Sequence, residues 1–317
     1  MTGNEDRVLP GVALMLGFCL IAPLIDVASK LAAATVPVGQ ITLARFVVQA
    51  VLMLPVALVM RAPLRLSRRA LRLILLRAVF SILATAAFVA AVAVMPIADA
   101  LAIVFVEPFI ILLLGWLMFR EQVGPRRLAA SVVGFMGCLL VIQPSFMAFG
   151  AAALLPLATA LFFALYMLVT RRLSSEVSPV AMQLHTAVLA VLICLPILWL
   201  GHRAGVGPIS VVLPVPLAWL WLLGVGVAAT VSHMFITYAL RFAPSATLAP
   251  LHYLEIVSAV ALGYLVFGDF PNLLTWGGIA IIVASGIYII HRERVVHVTG
   301  GSAPRPAAPL AGNGAAE

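Results

Sequence analysis

The chain has 317 residues, of which 64% are hydrophobic and 9% are charged, and its formal net charge is +8. A soluble domain of average composition is about 25% charged and 45–50% apolar. A soluble fold of this size cannot remove so much apolar surface from water. The composition therefore excludes a water-soluble globular enzyme, a disordered chain and a secreted disulfide scaffold, and lipid is the expected solvent for most of the chain.

The apolar residues fall into runs that are long enough to cross a bilayer as helices, which takes roughly 20 residues. The runs do not alternate as the strands of a membrane β-barrel do. The sequence thus predicts an all-α integral membrane protein with ten spans, numbered 1 to 10 in chain order. The spans are roughly 10–33, 38–60, 71–94, 97–119, 127–143, 148–170, 179–200, 216–240, 246–267 and 272–290.

Arginines gather on one side of this predicted set. The loops on the other side hold only Lys30 and Arg203. The positive-inside rule places both termini in the cytoplasm, with residues 1–9 as a short N-terminal segment. The tail over 295–317 is rich in Gly, Pro and Ala, so we expect disorder there. The arginine-rich side contains Arg7, Arg61, Arg65, Arg68, Arg69, Arg72, Arg120, Arg126, Arg127, Arg171, Arg172, Arg241, Arg292 and Arg294.

The two halves of the chain align with each other at an offset of about 148 residues. Glu107 then falls on Glu255, Pro96 on Pro244, and the segment 119–121 on 267–269. Each half, 10–143 and 148–291, would hold five spans. An odd number of spans makes the repeats inverted, an architecture in which secondary transporters hold substrate near the midplane.

These residues resemble the ten-helix EamA branch of the drug/metabolite transporter superfamily. The resemblance runs through residues 26–30, 96–100, 107–108 and 119–121 in the first half and through 244–271 in the second. It implies a carrier in the bacterial inner membrane that imports or exports small metabolites through a cavity formed mainly by spans 1, 3, 4, 6, 8 and 9. The stretch 249–271 is most similar to S-adenosylmethionine uptake carriers, which implies an amino-acid-like or S-adenosylmethionine-like substrate.

Glu107 and Glu255 are predicted to lie near the midplane, about ten residues from a helix end. A charge at the centre of a spanning helix costs about 2.5–3.5 kcal/mol, so such residues usually face a cavity or a partner. One interpretation is that a glutamate takes up and releases a proton or pairs with a cationic substrate. The other is a structural acid hydrogen-bonded to a neighbouring helix.

Further candidates for substrate or proton binding lie near these glutamates or on spans 1 and 2. Asp26 and Lys30 share a helix face, and they form an outer gate, contact a zwitterionic substrate, or simply pair at the interface. Arg45 pairs with Asp26 or with a lipid phosphate. Position 252 shares the face of Glu255, so His252 is a candidate proton relay, and Tyr253 is its neighbour. Arg77 is interpreted as a snorkelling residue near the cytoplasmic headgroups, and the lone His185 and His233 as structural.

Prolines and small residues indicate hinges and helix contacts. Pro23, Pro108 and Pro250 lie inside spans and each removes a backbone donor, so they are hinges or plain kinks. Small residues recur four apart in spans 5 and 10, which permits close helix packing and a possible homodimer. These small residues are Ala130, Gly134, Cys138, Ala280 and Ala284.

Other functional classes find little support in the sequence. No phosphate-binding glycine loop, metal-ligand spacing or nucleophile triad is present, so no cofactor or metal is expected. No basic stripe is interleaved with aromatic residues, which argues against nucleic acid. The expected partners are a small-molecule substrate and membrane lipid. An integral-membrane enzyme acting on lipid and a non-transporting scaffold remain the alternatives to a secondary active transporter.

Overall fold

The protein is all-helical over the residues that the structure describes. The structure is a computed structural model, and it describes residues 8–119, 129, 132–133, 135–137, 139–140, 146–243, 248–269, 272–274, 276–281, 283–285 and 287–288. Short 3₁₀ helices occupy Gly150–Ala153, Gly207–Ile209 and Ala249–Leu254. The α-helices are α1 (Val8–Ala33), α2 (Val38–Val59), α3 (Arg68–Val92), α4 (Ile97–Val104), α5 (Glu107–Phe119), α6 (Leu154–Leu173), α7 (Pro179–Arg203), α8 (Pro216–Phe242) and α9 (Glu255–Phe267).

Six helices among the described residues are long and apolar enough to cross a membrane. They contain α1, α2, α3, α6, α7 and α8. Large apolar side chains cover their outer surface; Leu20 is 67% exposed, Val51 64% and Leu192 61%. A surface this apolar fits contact with lipid tails and establishes a multi-pass membrane protein. Much of spans 5 and 10, together with the N-terminal segment and the tail, lies outside the described residues.

Helix starts follow local chemistry. The hydroxyl of Ser67 accepts a hydrogen bond from the amide of Ala70 at 3.1 Å and caps α3. Ser178 caps α7 in the same way through Ala181 at 3.3 Å. These side chains satisfy amide groups that the first turn of a helix leaves without partners.

The helices pack mainly across the two halves of the chain. α1 lies along α8, α3 along α6, and α2 along α7 and α8. The crossing of α2 and α8 is very close, because a Cβ atom added at Gly226 would overlap the side chain of Val48. Only glycine lets the two backbones approach this far.

Spans 5 and 10 meet within the chain at the residues that the structure describes. A Cβ atom at Gly137 would lie 2.9 Å from Cγ2 of Ile281 and 3.1 Å from the carbonyl oxygen of Gly278. Gly137, which is not among the small residues singled out by the spacing, therefore brings these spans close together, while Ala130, Gly134 and Cys138 lie outside the described residues. The proposed homodimer through the same spans stays a prediction.

Candidate functional site

Span 4, predicted over 97–119 with Pro108 inside it as a hinge or kink, consists of two helices. α4 ends at Val104, Phe105 and Val106 form a turn, and α5 begins at Glu107. Pro108 has no amide hydrogen to donate to the carbonyl of Val104, so an unbroken helix would lose this bond. The break leaves Glu107 as the first residue of a helix that begins inside the protein.

Span 9 is divided in the same manner. The 3₁₀ helix Ala249–Leu254, with Pro250 as its second residue, leads directly into α9, whose first residue is Glu255. The positive end of a helix dipole favours a carboxylate at this position. The two glutamates that the sequence repeat aligns therefore occupy equivalent places, each at the start of an interior helix.

His252 lies between the two glutamates. Its Nδ1 is 3.3 Å from Oε2 of Glu107, and its Nε2 is 3.6 Å from Oε2 of Glu255. The side chains of His252 and Glu107 are 3% and 1% exposed. The rings of Phe18 and Phe163 flank the imidazole with centroids 5.0 Å and 5.7 Å away, which fixes its plane. The histidine can thus serve two buried carboxylates at once.

A cavity of about 100 Å³ opens beside this group. It receives side chains from spans 1, 3, 4, 6, 8 and 9, which are the spans named by the resemblance, and Arg45 from span 2. Both aromatic and polar side chains line it, as in many sites for small molecules. The lining includes Phe18, Asp26, Ser29, Arg45, Ser81, Thr85, Phe88, Phe105, Glu107, Thr159, Phe163, His233, His252 and Glu255.

Several buried polar atoms in this lining have no hydrogen-bond partner. They are Nε of Arg45, Oγ1 of Thr85 and Oε1 of Glu107, and the two ring nitrogens of His252 contact the glutamates only as ion pairs without hydrogen-bond geometry. An unpaired buried polar group costs about 1–3 kcal/mol, and native proteins hold few of them. Their concentration around one cavity indicates a place where a ligand or its water completes the hydrogen bonding.

A second polar network adjoins the cavity and leads away from the glutamates. Nη2 of Arg45 lies 2.8 Å from Nε2 of His233, and Nδ1 of His233 lies 3.0 Å from the hydroxyl of Tyr166. Arg77 donates to Tyr166 and, through its Nε, to the hydroxyl of Thr170 at 2.8 Å. The network joins α2 and α3 of the first half to α6 and α8 of the second.

Arg77 is therefore not a snorkelling residue, and that prediction is wrong. Its side chain is fully buried, at 0% exposure, and its further partners are the hydroxyls of Thr186 and Thr237. Hydroxyl groups carried by other helices provide the polar contacts that the headgroups were expected to supply.

Lys30 does not pair with Asp26. Its Nζ lies 2.8 Å from Oδ2 of Asp269, donates to the carbonyl of Met95 at 3.3 Å, and sits 4.7 Å from the ring centroid of Phe267. Gly268 ends α9 with φ 70°, a conformation that suits glycine, and this turn directs Asp269 toward α1. An ion pair between Asp26 and Lys30 is thus excluded in this structure.

The remaining candidates are placed as follows. Arg45 is 5% exposed and contacts His233, so it does not bind a lipid phosphate. α1 is continuous through Pro23. The side chain of Tyr253 lies outside the described residues. His185 bonds to the carbonyls of Ala181 and Leu64, in line with a structural role.

Among the described residues, no cluster of His, Cys, Asp or Glu has the arrangement of a metal site.

Sequence reasoning missed His233, Tyr166 and Asp269 as members of these networks. His233 and Arg45 are separated by 188 residues, and Lys30 and Asp269 by 239. Polar residues on apolar helices were the available signal, but nothing in the local pattern indicates which distant helix each one meets. The repeat alignment did mark the position of Asp269, though not its partner.

Known proteins similar to this chain are transporters. A riboflavin transporter of Rhizobium johnstonii is 34% identical over 219 residues, which are 69% of this chain and 70% of the relative. A pseudopaline exporter of Pseudomonas aeruginosa is 28% identical over 259 residues, 80% and 87% of the two chains. An S-adenosylmethionine uptake transporter of Rickettsia prowazekii is 25% identical over 199 residues, 63% and 65%.

The fold is likewise shared with a solved structure. One crystal structure aligns with 92% of this chain and 100% of its own at a TM-score of 0.65 and 19% identity. The family model described as the EamA-like transporter family matches residues 9–143 and again residues 150–291. With these two matches covering most of its length, the chain belongs to the EamA-like transporter family and is a membrane transporter rather than an enzyme.

Proposed function

We propose that the protein is a secondary active transporter that moves a small polar metabolite across the bacterial inner membrane by alternating access. The two five-span halves would be inverted relative to each other, with both termini in the cytoplasm. The family match, the six long apolar helices and the cavity between the halves support this proposal. Carriers of this architecture bind substrate between the repeats and rock one half against the other.

Reciprocal helix contacts support a two-fold relationship between the halves. If the halves correspond, span 1 matches span 6, span 2 matches span 7, and span 3 matches span 8. Exchanging the halves then converts the contact of α1 with α8 into the contact of α6 with α3, and both contacts occur. The contact of α2 with α7 maps onto itself and also occurs. Two-fold related units produce reciprocal contacts of this kind.

The observation that carries the coupling proposal is His252 held between Glu107 and Glu255. A neutral imidazole has one N–H and satisfies one carboxylate, whereas a protonated imidazole has two and satisfies both. One proton therefore changes how both interior helix starts are held. The other titratable or charged groups lining this cavity are Asp26, Arg45 and His233. We propose that proton movement through this group drives transport.

Proteoliposome uptake tests the proposal. The purified protein would be offered radiolabelled riboflavin, S-adenosylmethionine and amino acids, with and without an acidic exterior. For a compound that enters, Glu255→Gln should abolish the stimulation by the proton gradient or stop uptake altogether, while expression and thermal stability stay close to wild type. Glu176→Gln is the matched control. The side chain of Glu176 is 39% exposed, and its ion pair with the exposed Arg69 is long, at 4.0 Å, so removing this charge should have little effect.

Two outcomes would contradict the proposal. Equal entry of every compound into protein-free and protein-containing liposomes would argue against a carrier for these metabolites. Unchanged uptake and unchanged pH dependence in Glu255→Gln would instead leave the carrier standing and reject the role given to Glu255.

A further inference from the structure

Asp26 and Arg45 face the same cavity at the same level of the bundle. Asp26 lies seven residues before the end of α1, and Arg45 lies seven residues after the start of α2. Since these two helix ends are joined by a short turn, both residues lie about 10 Å along the helix axis from it. They are 7% and 5% exposed, and both line the cavity.

These opposite charges do not neutralise each other directly. Among the described residues, neither side chain makes ion-pair contact with an opposite charge, although both are buried. Nε of Arg45 has no hydrogen-bond partner. A buried charge without a partner is costly. Two groups of opposite charge that line one cavity without contacting each other are suited to a ligand that carries both signs.

The guanidinium of Arg45 is oriented by a hydrogen bond to His233. A guanidinium group only donates hydrogen bonds, so Nε2 of His233 must accept the bond from Arg45. The proton of the neutral imidazole then resides on Nδ1 and is donated to the hydroxyl of Tyr166. Arg77 donates to the same hydroxyl. This chain of bonds fixes the guanidinium at the cavity wall with Nε still free, which is how a rigid binding group is prepared.

We propose that Asp26 and Arg45 form a subsite for the zwitterionic headgroup of an α-amino acid, or of a metabolite that carries one. The carboxylate binds the guanidinium of Arg45, and the ammonium group binds the carboxylate of Asp26. This inference rests on the proposed transport function and names the substrate class for its cavity. Charge-assisted hydrogen bonds from a guanidinium to a carboxylate are strong and directional. A compound lacking either charge leaves one buried residue unpaired and is rejected.

The rest of the lining suits the remainder of such a substrate. Aromatic rings of Phe18, Phe88, Phe105 and Phe163 border the cavity and offer an apolar surface for a side chain or a ring. The group formed by Glu107, His252 and Glu255 lies on the same cavity, so substrate charge and coupling proton would act on neighbouring residues.

Calorimetric titration of the protein in nanodiscs tests the subsite with matched compounds. S-adenosylmethionine and methionine are each compared with the decarboxylated form, which lacks only the carboxylate, and riboflavin serves as a compound without either headgroup charge. We expect at least one zwitterion to bind about 100-fold more tightly than its decarboxylated form, the scale expected for leaving a buried charge unpaired. Arg45→Gln should remove this preference, and Arg45→Lys should restore part of it.

Control variants separate binding from folding. Arg203→Gln removes an exposed arginine that rests on Trp199 and should bind as wild type does. Asp26→Asn provides an independent variant if Arg45→Gln does not fold, and it should lower the affinity for the zwitterion about 100-fold.

Proteoliposome uptake of the same compounds distinguishes the outcomes. Zwitterion binding that depends on Arg45, without movement into liposomes, would keep the subsite and reject the transporter. Transport of riboflavin or of a decarboxylated compound at equal rates by wild type and Arg45→Gln would keep the transporter and overturn the subsite. Absence of both binding and transport for every zwitterion tested would overturn the subsite as stated.

Discussion

Glu107 and Glu255 each occupy the first residue of an α-helix that begins in the interior of the protein, and both carboxylates lie within 3.6 Å of one imidazole. Backbone breaks of this kind within apolar spans are tolerated where the backbone borders a cavity or protein. The two breaks meet at His252 and place acidic groups from both halves of the chain beside the cavity. His252 therefore connects the two halves of the chain beside the cavity.

Replacing His252 by glutamine should separate the roles of the two carboxylates. Glutamine keeps one donor but cannot take up a proton, so the variant should fold and bind substrate while losing stimulation of transport by an acidic exterior. Uptake at several external pH values measures this effect. A pH profile identical to that of wild type would show that the imidazole does not participate in coupling.

Arg77 should be a major contributor to stability. Methionine at position 77 fills similar space but leaves the hydroxyls of Thr170, Thr186 and Tyr166 without their donor, so we expect a loss of about 2–4 kcal/mol. Thermal unfolding of the purified variant measures it. Arg72→Met on the exposed face of the same helix is the control and should change stability by less than about 0.5 kcal/mol.

If Arg77→Met unfolds at the temperature of wild type, then the buried network makes no net contribution to stability. Arg77 would in that event be retained for another reason, such as the orientation of Arg45 through Tyr166 and His233.

The helix crossing at Gly226 should tolerate no side chain. Alanine there overlaps Val48 on α2 and should destabilise the protein by about 1–3 kcal/mol through overpacking. Gly224→Ala on the same helix is a matched control, because its added Cβ atom would meet Ala28 at an ordinary 3.5 Å. Thermal unfolding compares the two. Equal melting temperatures for both variants would contradict the close approach of α2 and α8.

The ion pair of Lys30 and Asp269 should respond to charge reversal as a unit. Lys30→Glu places two like charges together where the ends of α1 and α9 meet, which should reduce both stability and transport. Adding Asp269→Lys restores opposite charges and should recover most of the loss. A double variant that is as impaired as the single one would mean that the two residues do not interact in the working protein.

Part of this arrangement follows from the sequence alone. The composition and run lengths predict membrane helices, and the repeat offset singles out Glu107 and Glu255 because a duplicated half keeps its acidic residue. Pro108 and Pro250 lie where spans 4 and 9 are divided, whereas α1 runs on through Pro23, and the role of these prolines as hinges stays a prediction. The structure adds that the break in span 4 immediately precedes Glu107 and that the 3₁₀ helix in span 9 contains His252.

The rest depends on contacts between distant segments. A buried arginine such as Arg77 and a snorkelling one look alike in sequence, since both lie a few turns inside an apolar helix. What distinguishes them is the set of hydroxyls supplied by α6, α7 and α8, which single-helix patterns do not reveal. The same holds for His233, whose position at the cavity follows from how α8 packs between α1 and α2.

Alternating access of the cavity is the central claim, and thiol labelling tests it most directly. Thr85→Cys, at the cavity wall, would be introduced into a variant without native cysteines and treated with a membrane-impermeant maleimide in vesicles of both orientations. The account predicts labelling from both sides of the membrane, while Leu192→Cys on the lipid-facing surface is labelled from neither. Labelling of Thr85→Cys from one side only, with and without transported substrate, would contradict it.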